Sequence, residues 1–227
     1  MKKGSWTYDL IAQEFDSIMN HYDLERRLQV VFERLLADVD LKGSRLLDAG
    51  CGTGFFSVEA ARLGARVISL DAGKNLLKET RRKGIAAVVA ADAARMPIRD
   101  GVFDVVVSSE CIEHTVSPPN TIRELIRVLR PGGWLVVTCP NAVWRWSCTI
   151  ANAFHLRPYQ GIENWPGWNE LRLWAEESGL DVHHQIGLHL FPFVLRPTHP
   201  ILRRLDRLGS RLGRVFVNQC LAGRKKE

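Results

Sequence analysis

The chain has 227 residues, of which 46% are hydrophobic and 25% are charged, and this is the composition of an ordinary one-domain globular protein. No apolar run approaches the roughly 20 residues that span a bilayer, and the N-terminal stretch lacks the apolar centre of a signal peptide. The five cysteines are scattered and form no C-x-x-C pair, so we expect a reducing cytoplasm rather than a disulfide framework or a zinc site.

The formal net charge of +6 is concentrated at the C-terminus. From Leu195 onward, nine arginines and lysines stand against Asp206 and Glu227, which gives this part +7 and leaves the first 194 residues at about −1. A nucleic-acid-binding surface over the whole molecule is therefore not indicated.

Short apolar segments alternate with amphipathic ones between residues 44 and 139. The predicted strands are "SRLLDAG", "ARVISLD", "IAAVVAAD", "VFDVVVSSE" and "WLVVTCP", and the predicted helices between them are "FFSVEAARLG", "KNLLKETRRKG" and "SPPNTIRELIRVLRPGG". This order predicts βαβ units and a parallel sheet that is covered on both faces.

The pattern changes after Pro140. A tryptophan-rich stretch at 141–168 has weak periodicity and is interpreted as an insertion on the substrate side of the sheet. A helix in "NELRLWAEESG", a strand in "LDVHHQIGL" and a closing strand in "VFVNQCLAG" follow. We predict one domain over 1–227, with N-terminal lid helices at 1–40, a ligand-binding core at 41–140 and a basic amphipathic segment at 196–215.

The loop "LLDAGCGTG" lies between the first predicted strand and the first predicted helix. Its glycines permit a tight turn and a close approach of a nucleotide-like ligand to the backbone. Asp71 and Asp92 end the next two strands, and with Asp48 they suit a neutral or cationic ligand better than a pyrophosphate. A glycine loop alone also occurs in dinucleotide dehydrogenases, but no second catalytic domain is visible here.

These motifs resemble the class I S-adenosylmethionine-dependent methyltransferases, and "SLDAGKNLL", "AADAARMPIRDGVFDVVVSSE" and "LRPGGWLVVTCPN" extend the resemblance over residues 40 to 140. It implies a Rossmann-like, seven-stranded, mostly parallel sheet with helices on both faces and an antiparallel last strand. It also implies a S-adenosylmethionine (SAM) site. The residues implied are Asp48, Gly50, Cys51, Gly52 and Gly54 for the methionine part, Asp71 and Ala72 for the ribose, Asp92 and Ala93 for the adenine, and Ser109 and Glu110 beside the methyl group.

The segment "SSECIEHT" brings Glu110, Glu113 and His114 into five positions, where a helix would place them on one face. It resembles a Glu-x-x-Glu-His segment in the O-methyltransferases of ubiquinone biosynthesis, which implies a divalent cation such as Mg²⁺, Mn²⁺ or Zn²⁺ at these residues. A cation would lower the pKa of a phenol, ordinarily near 10. The alternatives are that His114 acts alone as a general base or orients the substrate, or that Glu113 and His114 form a structural turn.

We expect transfer of a methyl group to a small molecule, most readily at a phenol, catechol or lipophilic alcohol oxygen. N-methylation of a small amine is the alternative within the fold, and a SAM-binding protein without transfer is the alternative outside it. The tryptophan-rich stretch could form an aromatic pocket for an amine or flat ring. Four further side chains are candidates for the pocket: Tyr8, His21, Tyr22 and Asn141.

The segment "ILRRLDRLGSRLGRVF" has two faces if it is helical. Ile201, Leu205, Leu208, Leu212 and Val215 fall within an arc of roughly 80°, and five arginines fall within a separate arc of about 100°. This pattern is typical of a helix on an anionic membrane, and it would give a cytoplasmic protein a peripheral membrane contact. A surface helix packed on the sheet, with solvated arginines, is the alternative that we favour.

Overall fold

Seven strands form the centre of the protein, for which we describe residues 6–147, 163–193 and 196–227 of a computed structural model. The strands are β1 (Arg45–Ala49), β2 (Arg66–Asp71), β3 (Val88–Ala90), β4 (Phe103–Ser109), β5 (Leu129–Pro140), β6 (Leu180–Leu188) and β7 (Asn218–Lys225). Their order is β3-β2-β1-β4-β5-β7-β6. The first five pair in parallel, while β7 runs antiparallel to both β5 and β6. The predicted fold class is confirmed.

Helices cover both faces of this sheet. They are α1 (Trp6–Leu10), α2 (Phe15–Ile18), α3 (His21–Leu28), which continues as a π-helix (Gln29–Leu35), α4 (Phe55–Arg62), α5 (Lys74–Arg82), α6 (Pro118–Arg127) and α7 (Trp168–Glu177). Successive strand residues point to opposite faces. Leu47 accordingly joins the core under α6 and α7, whereas Leu46 joins the core under α3 and α4.

Two carboxylates bind the N-terminal helices to α5 and to the loop between β1 and α4. Asp9 accepts hydrogen bonds from the backbone amides of Asn75 (2.6 Å) and Leu76 (3.1 Å) at the start of α5. The first amides of a helix have no partner within the helix, so this carboxylate satisfies them. Asp16 accepts a hydrogen bond from Oγ1 of Thr53 (2.6 Å) and pairs with Lys83 (2.6 Å).

The basic segment is not the continuous amphipathic helix that its periodicity predicts. It folds as α8 (His199–Leu205), a 3₁₀ turn (Asp206–Leu208), α9 (Gly209–Leu212) and a second 3₁₀ turn (Gly213–Val215). The face buried against the protein consists of Leu202, Asp206, Gly209, Gly213 and Phe216, one position along from the predicted apolar arc. A Cβ on Gly209 or Gly213 would overlap the backbone of Gly187 in β6, so both glycines permit close packing on the sheet.

No helix among the residues described above is long and apolar enough to cross a membrane. The predicted division of the chain into a lid, a core, an insertion and a basic segment stays a prediction. Most of the predicted tryptophan-rich insertion, residues 148–162, lies outside the described residues.

Candidate functional site

The glycine loop turns sharply between β1 and α4. Gly50, Gly52 and Gly54 have φ of 76°, 54° and 88°, values that side chains disfavour. A Cβ on Gly50 would overlap the side chain of Cys111, and one on Gly54 would lie 2.7 Å from Cγ2 of Thr80. The amides of Gly50 and Cys51 both donate to the carbonyl of Leu70 in β2, which fixes the loop to the neighbouring strand.

Two of the three predicted acids face the space above this loop. Asp71 accepts hydrogen bonds from the amides of Gly52 (2.9 Å) and Gly73 (2.8 Å), and burial nevertheless raises the pKa of its carboxyl group. Asp92 is exposed and accepts a hydrogen bond from the amide of Ala94 (2.8 Å). Both carboxylates therefore stand at the carboxyl ends of neighbouring parallel strands, where open sheets bind ligands.

The third acid, Asp48, lies behind the loop. It is 1% exposed, and the hydroxyl of Ser57 donates to its Oδ2 at 2.6 Å. Burial raises the pKa of this carboxyl group to about 7. Asp48 thus supports the loop from within, and the structure does not bring its side chain to the cavity above.

That cavity has a volume of about 640 Å³ and brings most of the predicted site residues together. The predicted residues that line it are Gly50, Cys51, Gly52, Asp71, Ala72, Asp92, Ala93, Ser109, Glu110 and His114. Asp48, Gly54 and Glu113 are not among the lining residues.

The segment after β4 does not form the helix that would align its three polar side chains. Glu110 has φ of 52°, and only Ile112–His114 form a turn of 3₁₀-helix. Oε1 of Glu110 accepts hydrogen bonds from Thr138 Oγ1 (3.1 Å) and Asn218 Nδ2 (3.2 Å). Glu113 turns inward and is 1% exposed, whereas His114 lines the cavity.

The predicted metal site does not form. No group of three or more His, Cys, Asp or Glu side chains in the described residues could hold a metal ion. The physical reason is the bend at Glu110, which directs its carboxylate to Thr138 and Asn218 while Glu113 enters the protein interior. The donor set Glu110, Glu113 and His114 therefore does not fit a divalent cation.

Burial governs the electrostatics of the two glutamates. Desolvation raises the pKa of Glu113 to about 8, and neither of its carboxylate oxygens accepts a hydrogen bond from another residue in the described chain. Desolvation and repulsion from Glu113 also raise the pKa of Glu110, although the nearby guanidinium of Arg27 opposes the shift. Glu113 consequently carries a proton at neutral pH, with its Oε1 3.9 Å from Nε2 of His114.

Arg27 is a cavity residue that sequence reasoning missed. It is 7% exposed, and its guanidinium donates to Ser109 Oγ (2.7 Å) and Asp23 Oδ2 (2.8 Å). Asp23 in turn contacts Nε2 of His189 at 3.1 Å. In the sequence "LERRLQ" an arginine is typical of a solvated helix face, and the aspartate four residues earlier is the one local signal of a buried pair.

Among the candidate pocket residues, Tyr8 lines the cavity and its ring meets that of His114 edge-on at 5.6 Å. Tyr22 instead stacks on His199 at 3.7 Å and donates to its carbonyl, and His21 is exposed outside the cavity. Asn141 is 2% exposed and donates to the carbonyl of Arg214, so its amide has a structural contact.

The four tryptophans of the tryptophan-rich stretch, at positions 144, 146, 165 and 168, are described and none of them lines the cavity, so the describable part of that stretch does not form the predicted aromatic pocket there. Apolar side chains that the sequence did not single out supply the wall, namely Phe15, Met19, Leu24, Phe55 and Phe56.

Comparison with known proteins agrees with this architecture. Residues 47–137 match the model of the methyltransferase domain family. A ubiquinone biosynthesis O-methyltransferase of Xanthomonas euvesicatoria pv. vesicatoria is 36% identical over 179 residues, which are 74% of this chain and 73% of that enzyme. The enzyme of that name from Xanthomonas oryzae pv. oryzae is 39% identical over 121 residues, so the match spans about half of each protein, 51% of this chain and 49% of that one.

A solved S-adenosylmethionine-dependent methyltransferase from Mesorhizobium loti superposes with a TM-score of 0.67 at 19% identity, over 89% of this chain and 100% of that one. This likeness concerns the fold, while the 36% identity to the Xanthomonas euvesicatoria enzyme concerns the sequence. Together they establish that the chain belongs to the class I S-adenosylmethionine-dependent methyltransferases.

Proposed function

We propose that this protein transfers the methyl group of SAM to a hydroxyl oxygen of a small molecule. The observation that carries the proposal is one cavity of about 640 Å³ that is lined both by the glycine loop with Asp71 and Asp92 and by His114. A donor and an acceptor could be held side by side there, which is the proximity that group transfer requires.

The residues present fit SAM. The carbonyls of the loop at Gly50–Gly52 would accept hydrogen bonds from the ammonium group of its methionine part, while Asp71 would bind its ribose hydroxyls and Asp92 its adenine amine. SAM, when bound, supplies a methyl group on a positively charged sulfur. Carboxylates at the ends of neighbouring strands favour such a cationic ligand, and no lysine of a phosphate-binding loop competes with that interpretation.

His114 would act on the acceptor. A ring nitrogen of His114 accepts the proton of the acceptor hydroxyl, which makes the oxygen a competent nucleophile. Glu113 is a positioning residue in this scheme, because its buried carboxyl group lies behind the imidazole and outside the cavity. Arg27 would hold Ser109 and offset the charge of Glu110 at the cavity wall.

The assignment to oxygen is supported by the two Xanthomonas relatives, which are named ubiquinone biosynthesis O-methyltransferases. In the described residues the side chains expected to hold a divalent cation do not converge, so we assign deprotonation of the acceptor to His114 alone. We also infer that SAM is the donor, on the strength of the family and the cavity.

An acceptor that offers both atoms tests the oxygen assignment directly. We would incubate the protein with methyl-labelled SAM and 2-aminophenol, and locate the label in the product by mass spectrometry. The proposal expects the label on oxygen. A label found only on nitrogen would overturn the assignment and favour an amine methyltransferase.

A further inference from the structure

The outward side of the basic segment carries an unusual apolar stripe. Ile201, Leu208, Leu212 and Val215 are 56%, 38%, 52% and 50% exposed. The segment is anchored without them, because Leu202, Gly209, Gly213 and Phe216 on the neighbouring face pack against the sheet. These four side chains therefore remain in water although the segment is fully packed, and a stripe of this kind commonly marks an interaction surface.

Five exposed arginines stand beside the stripe, at positions 203, 204, 207, 211 and 214. We call the stripe and these arginines together the arginine–leucine face. Residues 196–216, which include this face, carry six arginines against Asp206 alone, so their net charge is +5 within a chain whose total is +6. Its partner should be negatively charged and should also have an apolar layer.

A small pocket opens at the edge of the arginine–leucine face. It has a volume of about 270 Å³, and its polar lining includes Arg26, Arg34, Arg203 and Arg207. Asp206, at the base of this pocket, accepts hydrogen bonds from the guanidinium of Arg26 (3.0 Å) and from the backbone amide of His189 (2.8 Å). Arginines in this arrangement suit the phosphate of a lipid headgroup.

Two tryptophans extend the face at its other end. Trp146 is 57% exposed and stacks on Trp144 with ring centroids 5.5 Å apart. Nε1 of Trp144 donates to the carbonyl of Val215 at 2.9 Å, which holds the pair beside the apolar stripe. Exposed indole rings are typical of the boundary between lipid headgroups and acyl chains.

We propose that the arginine–leucine face docks on an anionic membrane surface. The arginines meet the headgroup phosphates while the apolar side chains and Trp146 enter the boundary of the acyl chains. A nucleic acid would satisfy the arginines but would leave the apolar stripe in water, so a bilayer fits the whole face better. This binding does not depend on the proposed methyl transfer.

Vesicle flotation of the full chain tests the proposal. We expect the protein to float with vesicles of phosphatidylcholine containing 30% phosphatidylglycerol, and to stay in solution with phosphatidylcholine alone. Raising the salt concentration should weaken the association, since it rests in part on screened charges.

Matched variants distinguish binding through the arginine–leucine face from a general effect of net charge or hydrophobicity. Arg207→Gln with Arg211→Gln should weaken binding roughly 30-fold, since each arginine near such a surface contributes a factor of about five. Leu208→Gln with Leu212→Gln should weaken it about tenfold or more. The controls Arg81→Gln with Arg99→Gln, and Leu173→Gln, change exposed residues elsewhere and should leave binding unchanged. Circular dichroism of each variant verifies that it is folded.

Three results would overturn the proposal. The first is absence of binding to the phosphatidylglycerol vesicles, or equal binding to both kinds of vesicle. The second is an equal loss in the control variants. The third is full release by glycerol phosphate at the same phosphate concentration, or duplex DNA binding that ignores the leucine variants, since either would identify a soluble anion or a nucleic acid as the partner.

Discussion

Burial raises the pKa of four carboxyl groups in or beside the cavity, those of Asp48, Asp71, Glu110 and Glu113. Asp48 has one hydrogen bond from Ser57, Glu110 has two from Thr138 and Asn218, and Glu113 has none from another residue in the described chain. In Asp104, by contrast, hydrogen bonds from Arg45 and Arg130 outweigh partial burial and lower the pKa to about 2. Burial therefore favours the protonated form of Asp48 and of Glu113, which limits negative charge behind the cavity wall.

The pKa of Asp48 predicts how the stability of the ligand-free protein depends on pH. Its folded-state pKa of about 7 lies above the ordinary 3.8, so between these values the folded chain keeps a proton that the unfolded chain has released. The free energy of unfolding should therefore fall as pH rises from about 4 to about 7. The free energy of unfolding of Asp48→Asn should fall less over this range, because the asparagine still accepts the hydrogen bond from Ser57 but does not titrate.

Urea unfolding of both proteins at pH 5 and pH 7 measures this difference. Asp38→Asn, which changes an exposed carboxylate, is the matched control and should behave like the wild type. An equal loss of stability in the wild type and Asp48→Asn would contradict the assignment.

If His114 acts on the acceptor, its removal should reduce turnover without weakening SAM binding. His114→Ala should reduce kcat at least tenfold, while calorimetric titration shows SAM affinity within about twofold of the wild type. Loss of affinity in proportion to kcat would instead indicate a structural role.

Glu113 should act through its neutral form. Ionising a buried carboxyl group without a partner is costly, so turnover in the wild type should fall above about pH 8 as Glu113 loses its proton. Glu113→Gln should keep turnover near the wild-type value and lose this alkaline limb, whereas Glu113→Ala should reduce turnover at least tenfold. An alkaline limb that persists in Glu113→Gln would assign the titration to another group.

Among individual residues, the sequence predicted those of the cavity wherever a motif determines the course of the backbone. Gly50, Gly52, Asp71 and Asp92 follow predicted strands, and strand ends determine where such residues lie. The cavity position of Arg27 and the bend at Glu110 were not predictable, because they depend on contacts with residues distant in the chain, Ser109 for Arg27 and Asn218 for Glu110.

Among the elements, α1 is held against the start of α5 by the carboxylate of Asp9. Asp9→Ala removes the acceptor for the amides of Asn75 and Leu76, and loss of such a cap costs about 1 kcal/mol. Because α1 also carries Tyr8 into the cavity wall, we expect SAM affinity to fall about tenfold, measured by calorimetry. Asp38→Ala is the control, and unchanged affinity in Asp9→Ala would show that the lid does not close the donor site.

The basic segment offers a test in which the usual effect of an alanine is reversed. Alanine in place of glycine ordinarily stabilises a helix by roughly 1 kcal/mol. Gly209→Ala should instead destabilise the protein by about 2 kcal/mol, because the new methyl group meets the backbone of Gly187. Thermal unfolding measures the difference, with Ser210→Ala as the neighbouring exposed control. Stabilisation by Gly209→Ala would contradict the close approach of Gly209 to the backbone of Gly187.

The sequence predicted the strands and helices well because continuous apolar runs and 3.6-residue periodicity report burial directly. It failed for the basic segment because the two glycines and Asp206 are buried there in place of leucines. Asp206 carries no apolar signal, yet Arg26 and the amide of His189 satisfy it inside the protein. Hydrophobic periodicity therefore selected a face one position away from the packed one.

In the whole molecule, the cavity and the arginine–leucine face are joined through α3. Arg27 on α3 lines the cavity, whereas Arg26 on the same helix pairs with Asp206, and Tyr22 stacks on His199. A lipid-bound protein would thus hold its acceptor site on the helix that also contacts the docking segment. This arrangement suits an acceptor that partitions into the membrane.

The formation of S-adenosylhomocysteine from SAM is the direct test of methyl transfer to a hydroxyl oxygen with His114 as the base. We would measure it across catechols, phenols, carboxylates and amines, each with and without EDTA, in the wild type and His114→Ala. We expect release with a hydroxyl compound, at the same rate in EDTA, and at least tenfold slower release in His114→Ala. Bound SAM with no release for any hydroxyl acceptor, or activity that EDTA abolishes and Mg²⁺ restores, would contradict it.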